Sequence, residues 1–148
     1  MKTFTQAPIP VVYPMHPRTK RRLQQNNILK TLQRSKNVQI LPPLGYLDFL
    51  VLMKKCAFIL TDSGGIQEEA TAPCIAKHVL VIRVSTERPE AVEAGFAEVV
   101  GTKRPAILAA MQNTLDNPLK LPTASPYGKG AAAERIVEIV QRELDCKS

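Results

Sequence analysis

The chain contains no tryptophan, and aromatic residues make up only 5% of its 148 residues. That argues against an aromatic platform on which successive nucleic-acid bases could stack. Cysteine is scarce as well. Cys56, Cys74 and Cys146 are an odd number at wide spacing, which is neither a zinc-ligand pattern nor a disulfide framework. No metal site and no cofactor are expected, and Cys56 and Cys74 read as small buried hydrophobes in a reducing compartment. No apolar run approaches the roughly 20 residues of a membrane span, so no membrane contact is expected. Residues 1–8 lack the apolar core of a signal peptide, which makes the cytoplasm the expected location. There is no internal repeat and no low-complexity segment.

What is present is an excess of positive charge. Lys and Arg number 20 against 13 Asp and Glu, giving a net charge of +7. Much of it sits in Arg18, Lys20, Arg21, Arg22, Lys30, Arg34 and Lys36. A solvated helix face is the first reading and a phosphate-attracting rim the second. Nucleic acid comes third, because no recognition motif accompanies the charge, and no nucleic-acid partner is expected. Hydrophobic residues at 45% and charged residues at 22% are ordinary for one globular domain. A chain of this length can bury roughly 70% of its unfolded surface.

Along the chain, short apolar runs alternate with helical periodicity. Strands are expected over residues 11–15, 38–41, 57–60, 79–82 and 98–100. Helices are expected over 19–34, 46–55, 65–72, 105–115 and 130–144. Apolar strands alternating with helices imply a parallel sheet covered on both faces, an α/β class of the doubly wound kind. Residues 117–125, with Pro118 and Pro122, read as a linker tying the last helix back across the domain.

In such sheets ligands lie outside the carboxyl ends of the strands. The first strand is followed by His16, Pro17 and Arg18, and the second by residues 42–46. The third runs into Thr61-Asp62-Ser63-Gly64-Gly65-Ile66-Gln67-Glu68-Glu69, and the fourth into Arg83 and then Thr86-Glu87-Arg88-Pro89-Glu90. Ser63, Gly64 and Gly65 stand where a strand passes straight into a helix. Free backbone N–H groups and the helix dipole favour an anion there, and glycines let a phosphate approach the backbone. Glu69, one turn on, can accept hydrogen bonds from a vicinal diol. The plainer alternative is that Ser63 caps the helix while Glu68 and Glu69 complement its dipole. His16 reads as an exposed loop histidine and His78, before a buried strand, as structural. Arg83 and Arg88 could reach phosphate or carboxylate oxygens, or be surface arginines.

Five ordered segments carry a family resemblance: Tyr13-Pro14-Met15-His16-Pro17-Arg18-Thr19, Pro43-Leu44-Gly45-Tyr46-Leu47-Asp48-Phe49, the Thr61 to Ala70 run, Thr86-Glu87-Arg88-Pro89-Glu90 and Pro126-Tyr127-Gly128. Together they resemble the carboxyl-terminal half of the non-hydrolysing UDP-N-acetylglucosamine 2-epimerases, over about residues 10–143. The resemblance implies the second Rossmann-like domain of a GT-B fold, with the active site in the cleft between two domains. It implies interconversion of UDP-N-acetylglucosamine and UDP-N-acetylmannosamine, by elimination of UDP to a 2-acetamidoglucal and re-addition. By position, Ser63, Gly64 and Gly65 would hold the diphosphate and Glu69 the ribose. Gly45, Tyr46 and Phe49 would receive the uracil, and Arg88 would face the nucleotide sugar. His16 matches a residue of a regulatory UDP-sugar site, with Arg18 beside it and Arg83 at the cleft. The implied ligand is UDP or a UDP-N-acetylhexosamine.

The sequence also departs from the family. The amino-terminal domain with its acid/base carboxylates is absent, as is the histidine-arginine motif that opens the second domain. Residues 1–148 are therefore expected to be a single UDP-binding domain without its first strand, and no residue here is assigned a catalytic role. Val84 stands where family members have Asp, Lys129 interrupts a Tyr-Gly-Asp-Gly pattern, and Ala76-Lys77-His78 replaces a Gly-Lys-Pro-like turn. The expectation is binding without turnover by the chain alone, because abstraction of the C2 proton needs positioned bases. A partner chain carrying the amino-terminal domain, or a homodimer exchanging a strand, would suit the vacant strand position. A GT-B glycosyltransferase donor domain and a non-catalytic UDP-sugar-binding module are the alternatives.

Overall fold

The computed structural model describes residues 3–145; residues 1–2 and 146–148, Cys146 among them, lie outside the description. β1 (Val11–Pro14) and β2 (Val38–Leu41) pair in parallel, Val11 opposite Val38 and Pro14 opposite Leu41. β3 (Ile59–Thr61), β4 (Val79–Val81) and β5 (Ala97–Val99) form a second parallel sheet with β4 in its centre. The α/β class with parallel strands is as expected, but the single sheet is resolved into two. Among the described residues β1 pairs with β2 only and β3 with β4 only, so no ladder joins the pair to the triplet.

Helices fill each crossover. α1 (Pro17–Gln25) and α2 (Ile28–Arg34) join β1 to β2, α3 (Tyr46–Lys55) joins β2 to β3, and α4 (Gly64–Ala70) joins β3 to β4. α5 (Pro89–Glu93) joins β4 to β5, and α6 (Arg104–Asp116) and α7 (Ala132–Asp145) follow. The helix expected over 19–34 is two helices, because Asn27 takes a left-handed φ of 55° and turns the chain. Asparagine tolerates that conformation, and the turn aims Leu29 and Leu32 at the same cluster as Leu23. α3 has the expected bounds, with Lys54 and Lys55 in its last turn where the helix dipole favours cations. α5 lies in a segment that sequence periodicity leaves as loop. Its five residues begin at Pro89, whose fixed φ suits a first helical position, and are too few to show a period.

The core is densest around β4, whose three residues are all fully buried, as a strand covered on both faces should be. One cluster sets Val79 and Val81 against Met53, Ala70 and Ala91, with Phe49 and Ile66 at its edge. On the other face Leu80 meets Ile107 and Met111. At the amino end, Asn37 donates to the carbonyls of Phe4 (3.3 Å) and Ala7 (2.9 Å), fixing the segment ahead of β1.

The cysteine expectation is half corrected. Cys56 is half-buried, its thiol donating to the Met53 carbonyl at 3.0 Å, but Cys74 is exposed in the loop between α4 and β4. That loop doubles back on itself, with the Ala76 N–H donating to the Ala72 carbonyl and the Lys77 N–H to the Ala70 carbonyl. The core side goes to Ile75. His78 is buried as expected. The linker does reach back, its Ser125 hydroxyl 2.6 Å from that of Thr71, but α7 buries no residue. Among the described residues no helix is long and apolar enough to cross a membrane.

Candidate functional site

The site begins where β3 ends. The Ser63 N–H donates to the Thr61 hydroxyl at 3.1 Å, which turns the chain into Gly64 and the first turn of α4. Ser63 occupies the N-cap position, yet its side chain makes no capping bond, so the plainer reading of it as a side-chain cap does not describe this structure. α4 is seven residues long, shorter than expected, so its dipole is modest and formal charge must come from elsewhere.

That charge is Arg88, half-buried at the start of α5. A Cβ on Gly64 would sit 3.6 Å from the guanidinium carbon, an ordinary contact distance, so the arginine lies directly against the turn. A Cβ on Gly65 would meet only the Ser63 hydroxyl, at 4.0 Å. Arg88 Nε donates to the Glu68 carboxylate and Nη1 to the Glu87 carbonyl at 2.8 Å. A guanidinium beside the open amides of a helix start is chemistry suited to a phosphate group. Glu69 is half-buried one turn further along α4.

Asp62, Ile82, Arg83, Val84, Ser85 and Thr102 line an adjacent open cavity of about 620 Å³ at the carboxyl ends of β3, β4 and β5. Its size falls within the ordinary range of small-ligand pockets. Arg83 pairs with Glu87 at 3.0 Å on its edge, and Val84, where the resemblance implies Asp, is 87% exposed. The end of β1 lies close by: the Tyr13 hydroxyl has its pKa raised, first by burial and then by the negative charge of Asp62.

The structure thus brings Ser63, Gly64, Gly65 and Arg88 together, with Arg83 at the neighbouring cavity. Other expected residues stand apart. His16 and Arg18 are exposed, and the His16 Nδ1 accepts the Arg18 N–H at 3.2 Å as the cap of α1. Gly45, Tyr46 and Phe49 are not a loop but the cap and first turn of α3. Tyr46 is 62% exposed, while Phe49 packs against the core.

Sequence reasoning missed three residues at the glycine turn. Gln67 is fully buried, its amide donating to the Ser63 carbonyl at 3.2 Å. The Thr86 hydroxyl donates to the Gln67 side-chain oxygen at 2.6 Å. The signal for Gln67 was available: it lies three residues before Ala70, hence on the core side of α4. Tyr127 reaches Glu90 at 3.5 Å and feels Glu68, so burial first and then both carboxylates raise its pKa. Nothing in sequence spacing links it to residues 37 positions away. Among the described residues no group of three or more His, Cys, Asp or Glu is placed to hold a metal ion.

Comparison with known proteins bears on this geometry. The profile of the UDP-N-acetylglucosamine 2-epimerase family matches residues 1–141. The UDP-N-acetylglucosamine 2-epimerase of Methanocaldococcus jannaschii is 42% identical over 131 residues, 88% of this chain and 34% of that protein. The enzyme of Escherichia coli O157:H7 is 43% identical over 141 residues, 93% of this chain and 36% of that protein. The chain therefore spans about a third of the length of the curated relatives it matches. Among solved structures, the M. jannaschii UDP-GlcNAc 2-epimerase in complex with UDP-GlcNAc and UDP superposes with a TM-score of 0.81 at 39% identity, over 90% of this chain and 36% of that one. The Neisseria meningitidis UDP-GlcNAc 2-epimerase bound to UDP-GlcNAc gives a TM-score of 0.76 at 37% identity, with the same coverage.

Proposed function

The chain belongs to the UDP-N-acetylglucosamine 2-epimerase family, and from that premise we propose that it is the UDP-binding, carboxyl-terminal portion of such an enzyme. The observation that carries this reading is the Arg88 guanidinium lying against Gly64 at the end of β3. In this reading Ser63, Gly64 and Gly65 offer backbone N–H groups to the diphosphate, and Arg88 supplies the charge that a seven-residue helix cannot. Glu69 accepts from the ribose hydroxyls. The Gly45 and Tyr46 turn receives the uracil, with Phe49 anchoring it to the core. Arg83, beside Asp62, borders the space for the sugar. His16 and Arg18 belong to a second, regulatory UDP-sugar site.

The epimerase reaction belongs to the whole enzyme. Removing and returning the C2 proton needs a base on each face of the sugar, and this chain spans only about a third of the relatives it matches. The reading places those bases outside residues 1–148, and a cytoplasmic location goes with its nucleotide-sugar ligand. The exposed Val84 on the cavity rim favours one other reading, a module that binds UDP-sugars without turning them over.

Calorimetric titration with UDP tests the proposal, with the Ser63→Ala/Glu69→Ala double variant as control. Saturable binding that the double variant loses by at least tenfold is the expected result. A folded wild-type chain giving no binding heat overturns it.

A further inference from the structure

Gln67 is fully buried on a helix only two turns long, in a position that an apolar residue would fill at no polar cost. Its amide is satisfied at both ends. The Arg88 N–H donates to the Thr86 hydroxyl at 3.0 Å, that hydroxyl donates to the Gln67 oxygen at 2.6 Å, and the Gln67 nitrogen donates to the Ser63 carbonyl at 3.2 Å. The three bonds run in one direction. Reversing the amide would set its oxygen against the Ser63 carbonyl oxygen, so only one orientation of Gln67 satisfies both neighbours. The relay spans two loops, joining the turn after β3 to the segment after β4, and it ends on the backbone of the residue whose guanidinium lies against Gly64.

We propose that Gln67 and Thr86 are positioning residues that clasp the segment after β4 to the glycine turn and thereby hold Arg88 where it meets the diphosphate of a UDP ligand. This rests on the reading of the glycine turn as the diphosphate site. Neither residue touches the ligand. The relay fixes the Arg88 backbone, and Glu68 then orients its side chain from the next turn of α4. Without the relay the guanidinium has its charge but not its place, and a ligand must order the segment at its own cost. The clasp therefore adds to affinity for the diphosphate and nothing to affinity for the nucleoside.

That difference supplies the test. The ¹⁵N-labelled full chain is titrated by NMR with UDP and, separately, with uridine, for wild type, Thr86→Val, Thr86→Ser and Gln67→Met. Thr86→Val keeps shape and loses both bonds. It is expected to weaken UDP binding about tenfold with uridine unchanged, while Thr86→Ser stays within about twofold of wild type. Gln67→Met is expected to match Thr86→Val; should it fail to fold, the Thr86 pair decides alone. UDP binding by Thr86→Val equal to wild type overturns the clasp and leaves the UDP site standing. Parallel losses for UDP and uridine also overturn it, since they mark a general loosening of the loop. A folded wild type that binds no UDP removes the site and the clasp together.

Discussion

α4 and α7 make an instructive pair. α7 is 14 residues long, twice the length of α4, with an apolar stripe of Ile136, Val140 and Leu144 at four-residue spacing. By sequence it is the more convincing helix. Yet α7 buries none of its residues, while α4 sends Gln67 and Ala70 completely out of solvent and carries the glycine turn at its start. Helical periodicity states which face could be buried, and only the rest of the fold states whether anything covers it. The residues proposed to bind the diphosphate cluster on the helix that is tied down, and positioning a ligand needs fixed backbone and packed side chains.

The contrast can be broken at the central strand of the sheet that carries the glycine turn. Leu80 is fully buried in the central strand, so Leu80→Ala is expected to cost about 2–5 kcal/mol, read as a lower urea midpoint. A loss no larger than that of a surface substitution would mean that the β3–β4–β5 half is not the anchored part of the molecule.

A smaller effect is expected from acid. His78 is buried just before β4, its Nδ1 has no hydrogen-bond partner, and burial lowers its pKa, with Glu98 opposing more weakly. The unfolded chain therefore takes up this proton before the folded one does. The contribution of His78 is complete above its ordinary value of about 6.5 and is lost as pH falls from there through the lowered folded value. Unfolding midpoints for wild type and His78→Leu, compared between pH 7.5 and 5, should show the steeper decline in wild type; equal slopes would dismiss the effect.

Smaller still is the turn before that strand. Ala76 holds a left-handed φ of 45°, which costs an alanine roughly 1–2 kcal/mol. Ala76→Gly is expected to stabilise the fold by about 0.5–1 kcal/mol after the entropy of glycine is counted, visible as a raised melting temperature. This is the position where the family resemblance implied a glycine-led turn, so the strain is a local cost of the substitution. Least of all should change on α7, where Ile136→Ala, at 60% exposure, is expected to shift stability by less than about 0.5 kcal/mol. A larger loss would show that α7 is covered after all, and would remove the contrast with α4.

Much of the fold was legible. β2 and α3 have the expected bounds, and β1, β3, β4 and β5 shift by a residue or two, because apolar strand runs and leucine spacing reflect burial directly. The break at Asn27 and the short α5 were not legible, since each depends on a few backbone angles rather than on a repeating pattern. Of the candidate site, Ser63, Gly64, Gly65 and Arg88 were nameable because glycine and charge at strand ends are local signals. Phe49 was named by motif, and only the fold shows that it packs against the core. Cys74 was placed inside by type and lies outside by position.

By itself, then, the sequence determined the α/β class, the family and the identity of the glycine turn. Each of these is written in residues close together in the chain, where spacing translates into geometry. Only the tertiary structure decided that the strands divide into a pair and a triplet, that α7 has no cover, and that Arg88 rests against Gly64 through Thr86 and Gln67. Those facts depend on hydrogen bonds and packing between segments some 20 or more residues apart, and loop closure over such distances leaves no period in the sequence to read.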